Sequence, residues 1–296
     1  MGRSYDTVSF LSDLGVVDEH VGVVHAIVRD LAAHARVIDL THHIAPFDVR
    51  AGSLALARSI GYVPSGVVMA CVDAGQRRAV AIEVADGEGV VLGPDNGLLA
   101  SAISMAGGAG RAVLLDNPEF HLATPGVVVP SRDVFAPVAA HLCNGVDLAE
   151  LGSPVDADEL LPGVVPLPRD LDGGEVGVHA EVLWIDHFGN CQLNVGLDDV
   201  LPWGVPVGTR LQVVAGDVTR VAQRVDDAAG LGPGSIGLAI DGFGLLALVL
   251  DRRSAADELS LATADQVTLR PLAEGDGGTA VSVQMSVPVS MRPAPR

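Results

Sequence analysis

Lysine is absent from this chain of 296 residues, and all 18 basic residues are arginine. Without lysine no Schiff base forms, which excludes pyridoxal phosphate held in the usual way. The phosphate-binding loop of P-loop NTPases and the active site of protein kinases also need a lysine, so both are excluded.

Positive charge is scarce, since 37 acidic residues against 18 basic ones give a formal net charge of −19. Nucleic acids and anionic membranes attract clusters of Lys and Arg. We therefore expect no nucleic-acid partner and no membrane partner. The sequence also has no apolar run of about 18 residues and no signal-peptide pattern at its start, so we expect a cytoplasmic protein.

Cysteines and aromatic residues are few as well. Cys71, Cys143 and Cys191 lie far apart and are odd in number, which favours reduced, buried thiols over a disulfide framework. Aromatic residues make up 3% of the chain and hydrophobic residues 49%, so the core must consist mainly of Val, Leu, Ile and Ala. Neither a GxSxG nor a CxxC motif occurs, so nothing indicates a serine-hydrolase elbow or a thiol nucleophile.

The first half of the chain alternates between strand and helix periodicity. Strands are predicted at 7–12, 35–42, 66–73, 79–84, 89–93 and 111–116. Helices are predicted at 18–34, 48–62, 96–107 and 131–145, the last with Ser131 as its N-cap. Apolar strands that alternate with helices predict an α/β sandwich, with a largely parallel sheet and helices on both faces.

The second half of the chain has a different pattern. Residues 153–175 are rich in Pro, Gly and Asp, and after them come short β-rich runs separated by turns. We expect an N-terminal α/β domain at 1–160, a linker at 161–175 and a smaller C-terminal β-barrel domain at 176–296.

Two motifs allow either a structural or a functional interpretation. Residues 232–237, GPGSIG, match GxGxxG, but they contain Pro and lead into a strand, so a simple turn is favoured over a dinucleotide site. Asp39, His42, His43 and Asp48 lie close in sequence, as metal ligands do. Adjacent side chains after a strand point in opposite directions, and no third ligand has helical spacing, so a structural or ligand-lining role is favoured over metal.

Three polar turns follow predicted strands, at 11–15, 72–78 and 93–97. In open α/β sheets, ligands bind beyond the carboxyl ends of the strands. Asp13 and Asp73 fall at two such ends. An aspartate there grips a ribose diol, positions a water molecule or caps a turn, and these alternatives remain open from the residues alone.

Several longer motifs occur in a fixed order: SDLG at 12–15, ARVIDLTHHIAPFDVRAGSLAL at 35–56, VVLGPDNGLL at 90–99, SRDVFAPVAAHL at 131–142 and IDHFGNCQLN at 185–194. From about residue 7 to residue 270 the sequence resembles the S-adenosyl-L-methionine hydroxide adenosyltransferases and the related chlorinases and fluorinases. The resemblance implies an α/β domain followed by a β-barrel domain and a homotrimer with active sites between subunits. It also implies a small adenosyl substrate and no metal or other cofactor.

The reaction implied by the resemblance is attack at the 5′ carbon of S-adenosyl-L-methionine, with methionine as the leaving group. Asp73 and Arg77 match the acid and the arginine of the water site in the hydrolytic branch, and Ser131 matches a small residue beside the nucleophile pocket. Halogenases place a tyrosine where Asp73 stands, and a carboxylate repels an incoming halide. We therefore expect hydrolysis to adenosine and L-methionine, while Arg78 is expected to form a structural ion pair.

The resemblance also assigns substrate contacts, one residue at a time. Asp13 matches the carboxylate that holds the ribose hydroxyls, and Phe47 an aromatic residue on the sugar side. Asp18 and Asp186 match acids near the methionine amino group. Asn190 matches an amide that contacts the adenosyl group, and Phe188 matches an apolar wall beside it.

Four positions depart from the family pattern, one of them His20, which stands where a tyrosine or serine is usual. Pro130 stands where a histidine of the water site is expected, so that group is absent or is supplied by His121 or another loop. Gly242 replaces a serine that holds the methionine end, and Asp251 replaces an asparagine near adenine. Arg252 or Arg253 is the candidate to bind the methionine carboxylate instead. Two alternatives therefore stay open, namely a halogenase of the same fold and an adenosyl-binding protein without turnover.

Overall fold

The structure is a computed structural model, and it describes residues 2–272 apart from the side chain of Leu201. The chain divides into two compact units, Met1–Pro166 and Leu167–Arg296. The last residues of the predicted C-terminal domain, 273–296, lie outside the described part. The boundaries 160 and 175 of the predicted linker stay predictions.

The first unit is built on a seven-stranded sheet with the strand order β2-β1-β3-β5-β4-β6-β7. Its strands are β1 Thr7–Ser12, β2 Arg36–Thr41, β3 Val67–Cys71, β4 Ala79–Val84, β5 Gly89–Pro94, β6 Ala112–Leu114 and β7 Pro154–Val155. The pairings among β2, β1, β3 and β5 are parallel, and those of β4 with β5 and β6 and of β6 with β7 are antiparallel. The α/β class is confirmed, with a sheet that is mixed.

Helices cover both faces of this sheet. They are α1 His20–Leu31, α2 Val49–Ile60, α3 Ala100–Met105 and α4 Ala136–Cys143. One buried cluster joins Phe10 and Met69 of the sheet to Val28 of α1 and Val138 of α4. Val72 points to the opposite face, where it approaches Gly52 of α2 so closely that a Cβ there would lie 2.9 Å from its Cγ2.

Ser131 is not the N-cap that the sequence predicted. It is the first residue of a π-helical turn, Ser131–Phe135, that runs directly into α4. No side chain within residues 2–272 caps this turn, and Oδ2 of Asp133 instead accepts the N–H of Val129, the residue before the N-cap Pro130, over 2.8 Å. Pro137 in the first turn of α4 has no N–H to donate, which favours an irregular turn before it.

The second unit is a closed barrel of seven strands in the order β10-β14-β13-β12-β11-β15-β9, with β9 paired back to β10 and β8 added beside β9. The strands are β8 Arg169–Asp170, β9 Val178–Ile185, β10 Cys191–Gly196, β11 Arg210–Ala215, β12 Val218–Arg224, β13 Ile236–Ile240, β14 Leu245–Val249 and β15 Gln266–Pro271; two short helices are α5 Leu197–Val200 and α6 Ala255–Leu259. This confirms the predicted barrel.

Two further expectations concern local structure. The GPGSIG motif forms a turn, in which the N–H of Ser235 donates to the carbonyl of Gly232 over 3.0 Å before β13 begins, as predicted. Within residues 2–272 no helix is long and apolar enough to cross a membrane.

The strand directions place several loops together in the first unit. β1, β2, β3 and β5 run parallel, and β6 runs in their direction because two successive antiparallel pairings, β5–β4 and β4–β6, restore it. The loops that follow these five strands therefore leave from one edge of the sheet, which we call the carboxyl edge.

Candidate active site

At the carboxyl edge, one oxygen atom joins three loops. Oδ2 of Asp13, just after β1, accepts the N–H of Asp73 over 3.2 Å and the N–H of Phe47 over 3.0 Å. Phe47 belongs to the loop after β2, and Asp73 belongs to the turn after β3. Hydrogen bonds to a carboxylate are stronger than neutral ones, so Asp13 fixes the positions of both partners.

Both of these partners have an unusual backbone conformation. Asp73 has φ +47° and Phe47 has φ +67°, in the left-handed region that side chains other than glycine seldom occupy. The side chain of Asn96, after β5, donates to the carbonyls of Val72 and Asp73 over 3.0 and 3.4 Å and so supports the turn from the other side. Backbone strain held in place by surrounding bonds is typical of functional sites.

Asp73 carries an ion pair with Arg77. Nη2 of Arg77 lies 2.9 Å from Oδ2 of Asp73, and the side chains are 50% and 25% exposed, respectively. The turn is closed by the N–H of Arg77, which donates to the carbonyl of Ala74 over 3.3 Å. A carboxylate that is oriented by a guanidinium and still reachable by solvent has the geometry needed to hold a water molecule.

Arg78, the next residue, makes the structural ion pair that the sequence predicted. Its Nε lies 3.0 Å from Oδ2 of Asp95, a side chain that is only 3% exposed. Oδ1 of Asp95 accepts the N–H of Leu161 over 2.8 Å. The two adjacent arginines therefore serve different carboxylates, one at the open edge and one inside the fold.

The two adjacent histidines point in opposite directions, as predicted. His42 is buried, with its Nδ1 2.8 Å from Oγ of Ser12, while His43 is exposed. Asp48 caps α2 by accepting the N–H of Ala51 over 2.9 Å. Among residues 2–272, no group of three or more His, Cys, Asp or Glu side chains is arranged to hold a metal ion.

Two predicted site residues of the first unit lie apart from the Asp13–Asp73–Arg77 hydrogen bonds. Asp18 is exposed in the turn before α1. Ser131 is only 3% exposed and lies at the start of the π-helical turn.

In the second unit, Asp186 and Asn190 form a single turn between β9 and β10. Oδ1 of Asp186 accepts the N–H groups of Phe188 and Asn190 over 2.8 and 2.9 Å, and its Oδ2 accepts from Nδ2 of Asn190 over 2.8 Å. Phe188, at the tip, is 76% exposed. Since an exposed ring on a rigid turn loses little entropy on binding, this turn suits a planar or apolar ligand group.

A second turn with the same construction was missed from the sequence. Oδ1 of Asp241 accepts the N–H groups of Phe243 and Leu245 over 2.8 and 3.0 Å, and Phe243 is 53% exposed. The available signal was the repeat of IDxFG at 185–189 and 240–244. The Asn96 contacts were also missed, although the GPDNG turn that contains Asn96 was recognised as polar.

Asp251 and Arg252 lie in the turn after β14. Arg252 has φ +52°, its side chain is 93% exposed, and its Nε lies 3.9 Å from Oδ1 of Asp251. Arg253 instead pairs with Glu258 over 2.6 Å. Of the two arginines considered for compensation, Arg252 is therefore the more accessible.

The cysteines are free and buried, as predicted. Burial and the neighbouring Asp13 carboxylate raise the pKa of the Cys71 thiol above its ordinary range. Burial, with smaller effects of Asp186 and Asp257, raises the pKa of Cys191 to about 12. Both are neutral thiols near pH 7 and are therefore poor nucleophiles.

Residues 8–152 match the family described as SAM hydroxide adenosyltransferase N-terminal domain, and residues 180–268 match the corresponding C-terminal domain. The chain belongs to the SAM hydroxide adenosyltransferase family. Members named (R)-S-adenosyl-L-methionine hydrolase, from Salinispora arenicola and Salinispora tropica, are 40% and 37% identical to it, each alignment covering 88% of this chain and 96% of the relative.

A fluorinase from an Actinoplanes species is 26% identical over 70% of this chain and 77% of its own length. Among solved structures, an uncharacterized conserved protein from Thermotoga maritima superposes with a TM-score of 0.79 at 27% identity, over 89% of this chain and 99% of that chain. The fold and the family suggested by the motifs are thus confirmed.

Proposed function

We propose that this SAM hydroxide adenosyltransferase family member hydrolyses S-adenosyl-L-methionine to adenosine and L-methionine. The observation that carries the proposal is the Asp73–Arg77 pair, an oriented carboxylate at the carboxyl edge beside Asp13. Relatives 37% and 40% identical bear the name of this hydrolase, which supports the proposal.

The reaction needs an in-line nucleophile and little else. The oxygen of water forms a bond to C5′, the C5′–S bond breaks, and its electron pair stays on sulfur, which becomes a neutral thioether. The water loses one proton, first to Asp73 and then to solvent. Arg77 orients the Asp73 carboxylate over 2.9 Å, and the positive sulfonium supplies the activation, so positioning accounts for most of the catalysis.

Substrate contacts follow from the two sets of residues described above. We propose that Asp13, held through Oδ2, uses its carboxylate to bind the ribose hydroxyls, with Phe47 beside the sugar. In the second unit Phe188 and Asn190 are proposed to contact the adenosyl group, and Asp186 to attract the methionine ammonium. The same role near the ammonium is proposed for Asp18.

Three further assignments complete the proposed site. Ser131 lines the nucleophile pocket, Asp251 lies near adenine, and Arg252 binds the methionine carboxylate in place of the serine that Gly242 replaces. The exposure of Arg252, 93% of its side chain, supports its availability.

The histidine expected at Pro130 has one candidate replacement, His121. The N–H of Leu122 donates to the carbonyl of Asp133 over 2.9 Å, which holds His121 beside the start of the π-helical turn. Nε2 of His121 is buried, and no residue between 2 and 272 hydrogen-bonds to it. His121 follows β6, so it leaves from the carboxyl edge together with Asp13 and Asp73.

The halogenase alternative is less well supported. A halide would meet the Asp73 carboxylate, and repulsion between like charges disfavours its binding. The fluorinase relative is also less similar than the hydrolases. The non-catalytic alternative rests on Pro130 and Gly242, and the turnover experiment below decides it.

We also propose a homotrimer with active sites between subunits, located in the cytoplasm and acting without a resident cofactor. Activation by the sulfonium supports the last of these statements, because the leaving group needs no metal. The net charge of −19 supports the absence of nucleic-acid and membrane partners.

The test is turnover in water enriched in ¹⁸O. Purified protein is incubated separately with the (R) and (S) sulfonium epimers of S-adenosyl-L-methionine. The products are separated by chromatography, and their masses are measured by mass spectrometry. We expect adenosine with one ¹⁸O at the 5′ hydroxyl and L-methionine without label. We also expect a preference for the (R) epimer, because the relatives are named (R)-S-adenosyl-L-methionine hydrolase.

Asp73→Asn is the matched control, and parallel reactions contain chloride or bromide. Absence of adenosine above the level of the Asp73→Asn variant would overturn the hydrolase assignment. A 5′-halogenated adenosine would establish the halogenase, and adenosine binding without turnover would establish the binding protein.

A further inference from the structure

A relay of polar side chains connects the surface with Ser12, the residue before Asp13. Nδ1 of His42 is 2.8 Å from Oγ of Ser12, and Nε2 of His42 is 3.0 Å from Oδ1 of Asp39. The same Asp39 oxygen lies 2.8 Å from Nε2 of His25 at the surface. Ser12 is fully buried and His42 is 6% exposed, whereas the side chains of Asp39 and His25 are 44% and 37% exposed, so the relay runs from the surface to the buried Ser12.

Asp39 is the acceptor at the surface end of this relay. Burial alone would raise the pKa of Asp39, but the two imidazoles outweigh it and lower that pKa, so Asp39 is an anion that only accepts. The tautomer of His42 that suits both of its neighbours carries its proton on Nε2, facing Asp39, although that N–H is not aligned for a full hydrogen bond. Nδ1 is then an acceptor for the Ser12 hydroxyl, and Oγ of Ser12 accepts the N–H of Leu14 over 3.3 Å.

Hydrogen bonds of His42 and Ser12 hold the chain on both sides of Asp13. Oγ of Ser12 is hydrogen-bonded to the His42 ring and accepts the N–H of Leu14, and the N–H of Gly15 donates to the carbonyl of His42 over 2.8 Å. The N–H of Asp13 itself donates to the carbonyl of Cys71 over 3.2 Å. The Asp13 carboxylate is thereby held where it meets the N–H groups of Phe47 and Asp73.

We propose that His42 is a positioning residue that acts through Ser12 to aim the Asp13 carboxylate at the nucleoside. This inference rests on the proposed function, because the ligand of Asp13 is an adenosyl group in both. His42 touches neither ligand nor water in this scheme. The ring centroid of Phe10 lies 4.6 Å from that of His42, so an apolar residue at position 42 would fill the space beside Phe10. It would, however, remove the hydrogen bond between Ser12 and residue 42.

The choice of substitutions follows from the two ring nitrogens. In His42→Asn the amide oxygen stands near the position of Nδ1 and keeps an acceptor for Ser12. In His42→Gln the amide reaches toward Asp39 and leaves Ser12 without its acceptor. Ser12→Ala removes only the hydroxyl, in case the larger changes prevent folding, and His43→Gln is the matched control at the exposed neighbour.

The measurements are adenosine binding by calorimetry, steady-state kinetics with S-adenosyl-L-methionine, and thermal unfolding, all on the full chain. We expect His42→Gln and Ser12→Ala to raise the Kd for adenosine and the KM about tenfold, equivalent to about 1.4 kcal/mol, with a smaller change in kcat. His42→Asn should recover most of this loss, and His43→Gln should match the wild type.

A lower melting temperature with unchanged Kd and KM in His42→Gln and Ser12→Ala would overturn the proposal, since His42 would then serve stability alone. Failure of the proposed function gives a different result, because the wild-type protein itself would show no turnover. In that event hydrogen exchange at the amides of Leu14 and Gly15 decides, and unchanged protection in His42→Gln would overturn the positioning role.

Discussion

The backbone N–H of Asp73 donates to the carboxylate of Asp13 over 3.2 Å, so the turns after two neighbouring parallel strands are joined directly. One of these aspartates is the proposed ribose ligand and the other the proposed water ligand. Loss of charge at Asp13 is therefore expected to affect both binding and turnover, whereas loss of charge at Asp73 affects turnover alone.

The variant Asp73→Asn tests the charge of the proposed base. Asparagine tolerates the left-handed φ of +47° at this position, so the backbone should be retained. We expect kcat to fall by about 10²- to 10⁴-fold, with little change in KM or melting temperature. Asp13→Asn should raise KM as well, and an Asp73→Asn enzyme with more than half of wild-type kcat would contradict the assignment.

The adjacent arginines should separate catalysis from stability. Arg77→Met removes the guanidinium from the accessible Asp73 pair, so kcat should fall at an almost unchanged melting temperature. Arg78→Met leaves the buried Asp95 without its cation, so the free energy of unfolding should fall by about 1–3 kcal/mol. Kinetics and thermal melts on both variants check this, and equal effects on kcat would contradict the division of roles.

The pH profile tests His121. Burial lowers the pKa of His121 below its ordinary value of 6.5. If neutral imidazole assists the loss of the proton from water, kcat should stay constant through pH 7 and decline only below pH 6.5.

His141 supplies the control for that profile. Burial also lowers the pKa of His141, and its ring packs against Phe120 with centroids 5.0 Å apart. His121→Gln should abolish the acidic decline and lower kcat, while His141→Gln should retain the wild-type profile. Identical profiles for the two variants would remove His121 from the proposed site.

Two glycines of the barrel unit should respond differently to serine. A Cβ at Gly242 meets no atom within 4 Å, so Gly242→Ser should fold normally and lower the KM for S-adenosyl-L-methionine by binding the methionine carboxylate. Gly189 has φ +82°, and a Cβ there would lie 2.7 Å from Cα of Ser254. Gly189→Ser should therefore lose about 1–3 kcal/mol of unfolding free energy. Melting curves and KM values check both, and a destabilised Gly242→Ser would be the contrary result.

Stability should decline toward acid in two steps. The pKa values of His121 and His141 are lowered by burial, so their contribution is lost as the pH falls from about 6.5, the ordinary value for histidine. The Asp133 carboxyl, despite burial, has its pKa lowered by the Arg132 guanidinium, so its contribution is lost below about pH 3.8. The pKa values of Asp39, Asp116 and Asp147 are lowered as well, so these groups contribute to the same lower step. Denaturant titrations from pH 8 to pH 3 measure this, with Asp133→Asn expected to reduce the lower step.

The order of elements was predictable because it depends on local periodicity. The strands at 7–12 and 79–84 and the helix at 48–62 appear in the structure with boundaries within about two residues. The opposite orientations of His42 and His43 also followed from strand geometry alone. The motifs identified the family, because they occur in a fixed order along most of the chain.

The partners of individual side chains were not predictable. Ser131 was predicted as the N-cap of a helix, but it is the first residue of a π-helical turn whose N-cap is Pro130, because the exact start of a helix depends on its three-dimensional packing. The antiparallel insertion of β4 between β5 and β6 also escaped prediction, because an apolar strand has the same period in either direction.

The sequence by itself determined the alternation of strands and helices, the barrel and the family, because each is encoded in residues near one another along the chain. Only the tertiary structure decided that Asp13 joins Phe47 and Asp73, that Arg77 and Arg78 serve different carboxylates, and that His42 stands behind Ser12. Those relationships link residues 30 to 60 positions apart or distinguish adjacent ones by burial, and they arise only when the parallel strands bring their carboxyl ends to one edge.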